Sequence, residues 1–269
     1  MRYRLTLTLE GSRWLVTGAS SGLGRAIAIG LAERGVAALE LVARRKDLLE
    51  SLGRELGARF GTDSRITVSD LSDTGQTKAL AAAVSSRGSL DGLVLNAGVT
   101  FYGRHADLDT DRAQKLIDTN ATGPTVLMMH LHDALAASER GAAILVVSSA
   151  AGDMPVPYQA LYSGTKAFLT AFGLALGREF SGSGTSVTVF APSGIDTEMI
   201  ERSGLASKFE NHPALMDPAE AAERAIRAVI ARKPISYPGP YALIANVLAR
   251  LLPRSASTLL LERTYRPPL

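Results

Sequence analysis

Trp14-Leu15-Val16-Thr17-Gly18-Ala19-Ser20-Ser21-Gly22-Leu23-Gly24 is the stretch on which the fold turns. A strand-like run, Trp14 to Thr17, meets a glycine-rich turn, and a helical pattern from Leu23 to Arg34 follows, closed by Gly35. Glycines let the backbone turn sharply at a strand end and come close to a phosphate. The amides and dipole of the next helix N-terminus then meet its charge. The order strand, glycine turn, helix therefore predicts a phosphate-holding βα unit.

The same rhythm continues outward. Strands are expected at Leu39 to Ala43, Arg65 to Val68, Leu93 to Asn96, Ala143 to Val147 and Val187 to Phe190. Between them helices are expected from Leu48 to Leu56, closed by Gly57, and over Gly75 to Val84, Arg112 to Ala137 and Tyr162 to Phe180. The strands are apolar without alternation, as strands buried on both faces are. The fold class is thus α/β, a doubly wound, Rossmann-like parallel sheet with helices on both faces. With 269 residues, 46% of them hydrophobic, and no low-complexity linker, the chain reads as one domain over 1–269, with a substrate loop and C-terminal extension from about 197.

Composition narrows the function. The 29 Lys and Arg against 26 Asp and Glu leave +3, and the basic residues are dispersed, which argues against a nucleic-acid partner. The absence of cysteine removes disulfides, thiolate metal sites and a cysteine nucleophile. Of the four histidines, His130 and His132 sit two apart and diverge on a helix, while His105 and His212 are isolated, so no metal site is expected. Met1 to Glu10 alternates charged residues with leucines and lacks the apolar run of a signal peptide, which points to a cytoplasmic location.

Two hydrolase patterns compete for the same residues. Gly18-Ala19-Ser20-Ser21-Gly22 fits the Gly-x-Ser-x-Gly nucleophile elbow, but too little chain precedes it to build the strands behind an oxyanion hole. Ser163-Gly164-Thr165-Lys166 fits Ser-x-x-Lys, yet the chain has no Lys-Thr-Gly partner.

A different chemistry accounts for more of the sequence. Tyr162 and Lys166 are four apart and share a helix face, with Ser149 at the end of the fifth strand and Asn120 upstream. A tyrosine of pKa near 10 is a poor base at neutral pH, but a unit charge about 4 Å away at an effective dielectric of 20 contributes about 4 kcal/mol, or about 3 pKa units. Such a tyrosine can pass a proton to and from a substrate oxygen, and the Ser149 hydroxyl can hold that oxygen.

Asn120, Ser149, Tyr162 and Lys166, together with the Gly18-x-x-x-Gly22-x-Gly24 spacing, resemble the short-chain dehydrogenase/reductase family over about residues 11 to 200. The resemblance implies an oxidoreductase that moves a hydride between a nicotinamide cofactor and a carbonyl or secondary alcohol. It also implies that Asn120 holds a water linking Lys166 to solvent, although a polar side chain that bends the long helix is the alternative. Cofactor contacts are implied for Gly18, Ser20, Ser21, Gly22, Leu23, Gly24, Asp70, Leu71, Asn96, Ala97, Gly98, Tyr162, Lys166, Pro192, Ile195 and Thr197. Ser193 stands where the family usually has glycine. Long helices near 112–137 and 162–180 resemble those that pair subunits in the family, which implies a homodimer or homotetramer.

Cofactor choice rests on the position about 20 residues past the glycine loop, where an acidic residue would bind the ribose 2′-hydroxyl of NAD. Arg44 stands there, with Arg45 and Lys46 next, and Glu40 falls too early in its strand. Guanidinium groups suit a 2′-phosphate, so NADP(H) is expected over NAD(H). Met154 to Tyr158, Phe101-Tyr102 and the region after Thr197 suggest an apolar, partly aromatic pocket for a lipophilic ketone or alcohol. The competing reading from another class is a dinucleotide-binding sensor without turnover.

The tail holds one more signal. Tyr241 to Leu252, between Pro240 and Pro253, is apolar on nearly every side as a helix, with Asn246 and Arg250 as a narrow polar stripe. It is too short to span a bilayer. Either it packs on protein, meaning its own substrate pocket or a second subunit, or it lies in a membrane interface, and the family's use of its C-terminal region favours protein.

Overall fold

The computed structural model describes residues 7–205 and 215–267. His212 and the opening stretch 1–6 lie outside the described residues. Strands β1 (Arg13–Thr17), β2 (Ala38–Ala43), β3 (Asp63–Val68), β4 (Gly92–Leu95), β5 (Ala143–Val147) and β6 (Ser186–Phe190) alternate with helices. Short strands β7 (Gly194–Ile195) and β8 (Leu215–Met216) pair with each other, and β9 (Ile235–Ser236) completes the main sheet. The helices are α1 (Gly22–Ala32), α2 (Lys46–Phe60), α3 (Thr74–Ser85), α4 (Thr110–Ile117), α5 (Gly123–Ala136), α6 (Ala160–Glu179), α7 (Glu198–Ser203), α8 (Pro218–Ile230), α9 (Gly239–Leu251) and α10 (Arg254–Tyr265).

The seven-stranded sheet runs β3-β2-β1-β4-β5-β6-β9 with every neighbouring pair parallel. Chain order reverses direction between β1 and β4, and at such a switch point the loops part and leave a crevice at the strands' C-terminal ends. Both faces of the sheet are covered. Trp14, Val16, Leu39, Leu41 and Val94 pack with residues of α1, α2 and α8, such as Ile27, Leu52 and Ile226. Their strand neighbours Leu15, Val42, Leu93 and Leu95 point the other way, into residues of α3, α5 and α6 such as Leu80, Leu127 and Leu169. This two-sided burial is the physical reason that the strands show no polar alternation. Glu40, buried in β2, is held by Arg13 and Arg87, away from the crevice.

Two local expectations are corrected. Gly57 does not end α2, which runs on to Phe60 and is capped by Gly61 in the left-handed region (φ 70°). An exposed glycine inside a helix costs only about 1 kcal/mol against alanine, and Leu49, Leu52 and Leu56 anchor the helix on the core. The single helix expected over 112–137 is instead α4 and α5 joined by a π-helical turn, Asp118–Thr122. Asn120 lies in that turn, so the polar residue does coincide with a distortion of the helix. His132 stacks on Phe180 with ring centroids 5.3 Å apart, a packing role.

Candidate active site

The glycine loop joins β1 to α1 at the switch point. Gly18 (φ 68°) and Gly22 (φ 54°) occupy conformations that side chains rarely adopt. At Gly24 the reason is contact: a Cβ there would lie 2.3 Å from the Gly18 carbonyl oxygen and 2.4 Å from Asn96 Nδ2. Asn96 fixes the loop from β4, its side-chain amide donating to Thr17 O at 2.9 Å while its backbone amide and that of Ala97 donate to Thr17 Oγ1. Ser21, the N-cap of α1, makes no side-chain cap, so it leaves the first-turn amides of the helix to other acceptors.

A cavity of about 420 Å³ opens along this edge of the sheet. Gly18, Ser20, Ser21, Gly22 and Leu23 line its first wall, Arg44, Arg45, Asp70 and Leu71 one end, and Asn96, Ala97 and Gly98 its floor. Ser149, Tyr162 and Lys166 line the other end with Pro192, Ile195 and Thr197. Gly24 lies behind the loop and Asn120 behind Gly98; neither lines the cavity. The lining fits a dinucleotide phosphate, because a glycine turn with helix amides left to other acceptors stands with arginines and with the Ser149, Tyr162 and Lys166 group around one cavity.

At the cationic end Arg44 is mostly exposed (57%) and stands 3.9 Å from Asp70. Arg45 closes over the loop: it donates to Ser20 Oγ and Ser21 Oγ and pairs with Glu198 of α7 at 2.8 Å. Lys46 pairs with Glu50 and does not line the cavity. Asp70 accepts from the backbone amide and hydroxyl of Ser72 and from Lys115. Burial pushes its carboxyl up, but these hydrogen bonds outweigh that and hold it below the ordinary value. It is therefore a loop-capping aspartate as well as a cavity residue.

At the other end, β5 delivers Ser149 and the first turn of α6 delivers Tyr162, with Lys166 one turn on. Ser149 Oγ accepts from Ala151 N at 3.1 Å. Lys166 Nζ donates to Val147 O at 2.9 Å and lies 5.7 Å from the Tyr162 ring centroid. Asn120 donates to Val99 O and Thr165 Oγ1 and accepts from Val99 N, tying the π-helical turn to α6 and to the loop after β4. A Cβ on Gly98 would meet Asn120 Oδ1 at 3.3 Å and Lys166 Nζ at 3.6 Å, so both groups border that glycine. Ser193 takes the place of the family's glycine without strain, since neither Ser193 nor Gly194 has a positive φ.

The electrostatics differ from the sequence expectation. Burial pushes the Tyr162 hydroxyl up to about 12; a hydrogen bond from Ser149 opposes this and the nearby Tyr265 adds to it. Burial pushes Lys166 down to about 8. Desolvation is the largest influence on both groups in the protein alone, so Tyr162 is raised where the spacing predicted a depression.

The tail supplies residues that the sequence reading missed. Tyr265, at the end of α10, accepts through its backbone oxygen from the Tyr102 hydroxyl at 2.8 Å and adjoins Tyr162. Tyr158, strained at φ 63°, accepts from the Gly103 amide through its carbonyl oxygen at 2.9 Å. Glu198 and Tyr265 were not legible, because their partners lie more than a hundred residues away. Ser20, the would-be hydrolase nucleophile, bonds to Arg45, and no described histidine lines the cavity.

A parallel doubly wound sheet with a glycine cradle and a Ser, Tyr and Lys cluster at one crevice defines a dinucleotide-dependent oxidoreductase class. Residues 13–207 match the sequence model of the short chain dehydrogenase family, and the chain belongs to that family. An uncharacterized oxidoreductase of Myxococcus xanthus is 31% identical over 240 residues, covering 89% of this chain and 92% of that one. A 3-oxoacyl-[acyl-carrier-protein] reductase of Staphylococcus aureus is 34% identical over 188 residues, covering 70% and 76%. The solved short-chain dehydrogenase from Sphingobium yanoikuyae in complex with NADPH superposes with a TM-score of 0.80 at 27% identity, covering 96% and 98%. An oxidoreductase acting on alcohol and carbonyl groups with a nicotinamide dinucleotide follows at family level.

Proposed function

We propose that this chain is an NADP(H)-dependent oxidoreductase that interconverts a carbonyl and a secondary alcohol, with Tyr162 as general acid and base. The observation that carries the reading is the single cavity that has Arg44 and Arg45 at one end, the glycine cradle between, and Ser149, Tyr162 and Lys166 at the other. Bound NADP(H) supplies or accepts the hydride at the substrate carbon. The amides at the α1 N-terminus hold its pyrophosphate, and the guanidinium groups of Arg44 and Arg45 hold the 2′-phosphate in charge-assisted contacts. For Arg45 this means exchanging or sharing Glu198. Asp70 and Leu71 would flank the adenine, Asn96-Ala97-Gly98 the adjoining ribose, and Pro192, Ile195 and Thr197 the nicotinamide end.

Ser149 Oγ donates to the substrate oxygen and fixes it near the hydride path. Tyr162 Oη gives its proton to that oxygen in reduction and takes one in oxidation. With its hydroxyl pushed up to about 12, Tyr162 carries its proton at neutral pH in the protein alone, and the charge brought by Lys166 and the oxidised cofactor would favour its release in the oxidation direction. Lys166 holds the nicotinamide ribose, and its positive charge lowers the cost of tyrosinate. Asn120, beside the same glycine, holds the water that links Lys166 to solvent. Tyr102, Tyr158 and Tyr265 give the substrate side an aromatic wall suited to a lipophilic ketone or alcohol. Exposed Met129, Phe168 and Leu174 on α5 and α6 support subunit pairing through that face of a cytoplasmic enzyme.

A panel of carbonyls and alcohols with both cofactors, followed by nicotinamide absorbance, tests the reading. kcat/KM with NADPH is expected to exceed that with NADH by about tenfold or more, given one to two charge-assisted hydrogen bonds. Equal values contradict the NADP(H) assignment. Cofactor binding without turnover on any substrate makes the chain a sensor.

A further inference from the structure

Helix α9 turns its polar side inward. Asn246 Nδ2 donates to the Tyr237 hydroxyl at 2.7 Å and to Asp153 Oδ2 at 3.3 Å, and Tyr237 donates to the other Asp153 oxygen at 3.3 Å. Ala242 is buried beside it, while Tyr241, Leu243, Ile244, Val247 and Leu251 are exposed. Helix α10 buries Ser257 and exposes Leu259 and Leu260. The usual order of a helix at water, apolar in and polar out, is reversed. Of the twelve exposed large hydrophobic residues among the described residues, seven lie on these two helices. Packing of the whole segment into its own substrate pocket, one of the sequence expectations, is therefore not what the fold does.

The charges decide what covers this face. Between Pro238 and Pro267 stand four exposed arginines against one acidic residue, Glu262: Arg250 reaches back to Tyr237 and Asp153, Arg266 engages Glu262 and Tyr158, and Arg254 and Arg263 stand out on α10 beside Leu259 and Leu260. Two copies meeting through this patch about a twofold axis would bring two net-positive faces together, with one glutamate on each side to offset the arginines. An anionic lipid surface supplies the opposite sign together with an apolar layer for the leucines. No described helix is long and apolar enough to cross a membrane.

We propose that the α9–α10 pair docks in the interface of an anionic membrane, its apolar residues among the outer acyl segments and its arginines among the headgroups. Helix α10 ends at Tyr265, beside Tyr102 and Tyr162, so the docked face adjoins the substrate mouth. Resting on the oxidoreductase reading above, the substrate class is then a ketone or alcohol that partitions into lipid.

The test sediments the full-length chain with vesicles of phosphatidylcholine alone and of phosphatidylcholine mixed with phosphatidylglycerol. Binding to the mixed vesicles is expected to be about tenfold tighter and to weaken with added salt. The double variants Leu243→Gln/Val247→Gln and Arg254→Glu/Arg263→Glu are expected to lose it, with unchanged size in solution and unchanged turnover of a water-soluble ketone. Failure of the wild type to sediment with mixed vesicles overturns the proposal. So does a change of oligomer size in the Leu243→Gln/Val247→Gln variant, which makes a second copy the occupant. Vesicle binding without turnover on any substrate supports the docking and removes only the oxidoreductase reading and its lipid substrate.

Discussion

The cofactor edge of the sheet and the C-terminal helix pair are built on opposite logic. At the edge every close approach is spent inside the molecule: Gly24 meets the Gly18 carbonyl, Asn96 ties the loop to Thr17, and Lys166 is buried on the end of β5. In the helix pair the polar atoms of Asn246 and Tyr237 turn inward and the leucines face out. Among the described residues the first region is packed within one chain, whereas the second presents an apolar surface that they leave uncovered. Stability and chemistry should therefore be sensitive to change at the edge and nearly indifferent to it on the outer face of α9.

The largest difference should come from Gly24→Val. Its Cβ would overlap a backbone oxygen, which cannot move as a side chain can, so a loss of more than about 3 kcal/mol in unfolding free energy is expected in denaturant titration. A loss below about 1 kcal/mol would mean that the loop is pliable and the cradle loosely built.

Lys166→Met gives the next effect, and it depends on pH. The folded-state pKa of Lys166, about 8, lies below its ordinary value of 10.5, so the unfolded chain binds the extra proton between those values. Wild-type stability therefore rises relative to the variant as pH goes from 8 to 10.5, by about 3 kcal/mol at the top of the window, and the difference is flat below pH 8. Tyr162, raised from 10.0 to about 12, acts with the opposite sign at higher pH, its contribution being lost from pH 10 upward in both proteins. Parallel melts of the two proteins across pH 7 to 10.5 read the difference directly, and parallel curves throughout would mean that Lys166 is solvated.

The smallest effect belongs to the tail. Leu243→Gln, on the exposed face of α9, should shift stability by less than about 0.5 kcal/mol. A shift above about 2 kcal/mol would show that the face is covered in the free protein and that the contrast between the regions is false.

What was legible in the sequence divides along the same line. The parallel sheet was readable because doubly buried strands leave unbroken apolar runs, as in Leu93 to Leu95 and Ala143 to Val147. The cradle was readable because a sharp turn and a close backbone approach both demand glycine at neighbouring positions. The end of α2 was misread, since Gly57 and Gly61 offer the same signal and only Gly61 adopts the left-handed conformation. The break at Asn120 depends on partners in other segments, Val99 and Thr165. So does the facing of α9, whose polar stripe was visible but whose direction is set by Asp153, 93 residues away. The upward shift of Tyr162 was not legible because spacing shows the lysine four residues on but not the burial that raises the hydroxyl.

The assignment of Tyr162 as proton donor is tested most directly by measuring NADPH consumption on a confirmed ketone with wild type and Tyr162→Phe side by side. The substitution removes one oxygen from a half-buried ring on the cavity wall, so cofactor affinity should stay within about twofold while kcat falls by about 10² to 10⁴, the range for loss of a positioned general acid. A Tyr162→Phe enzyme that retains near-normal kcat would place the proton transfer elsewhere and contradict the assignment.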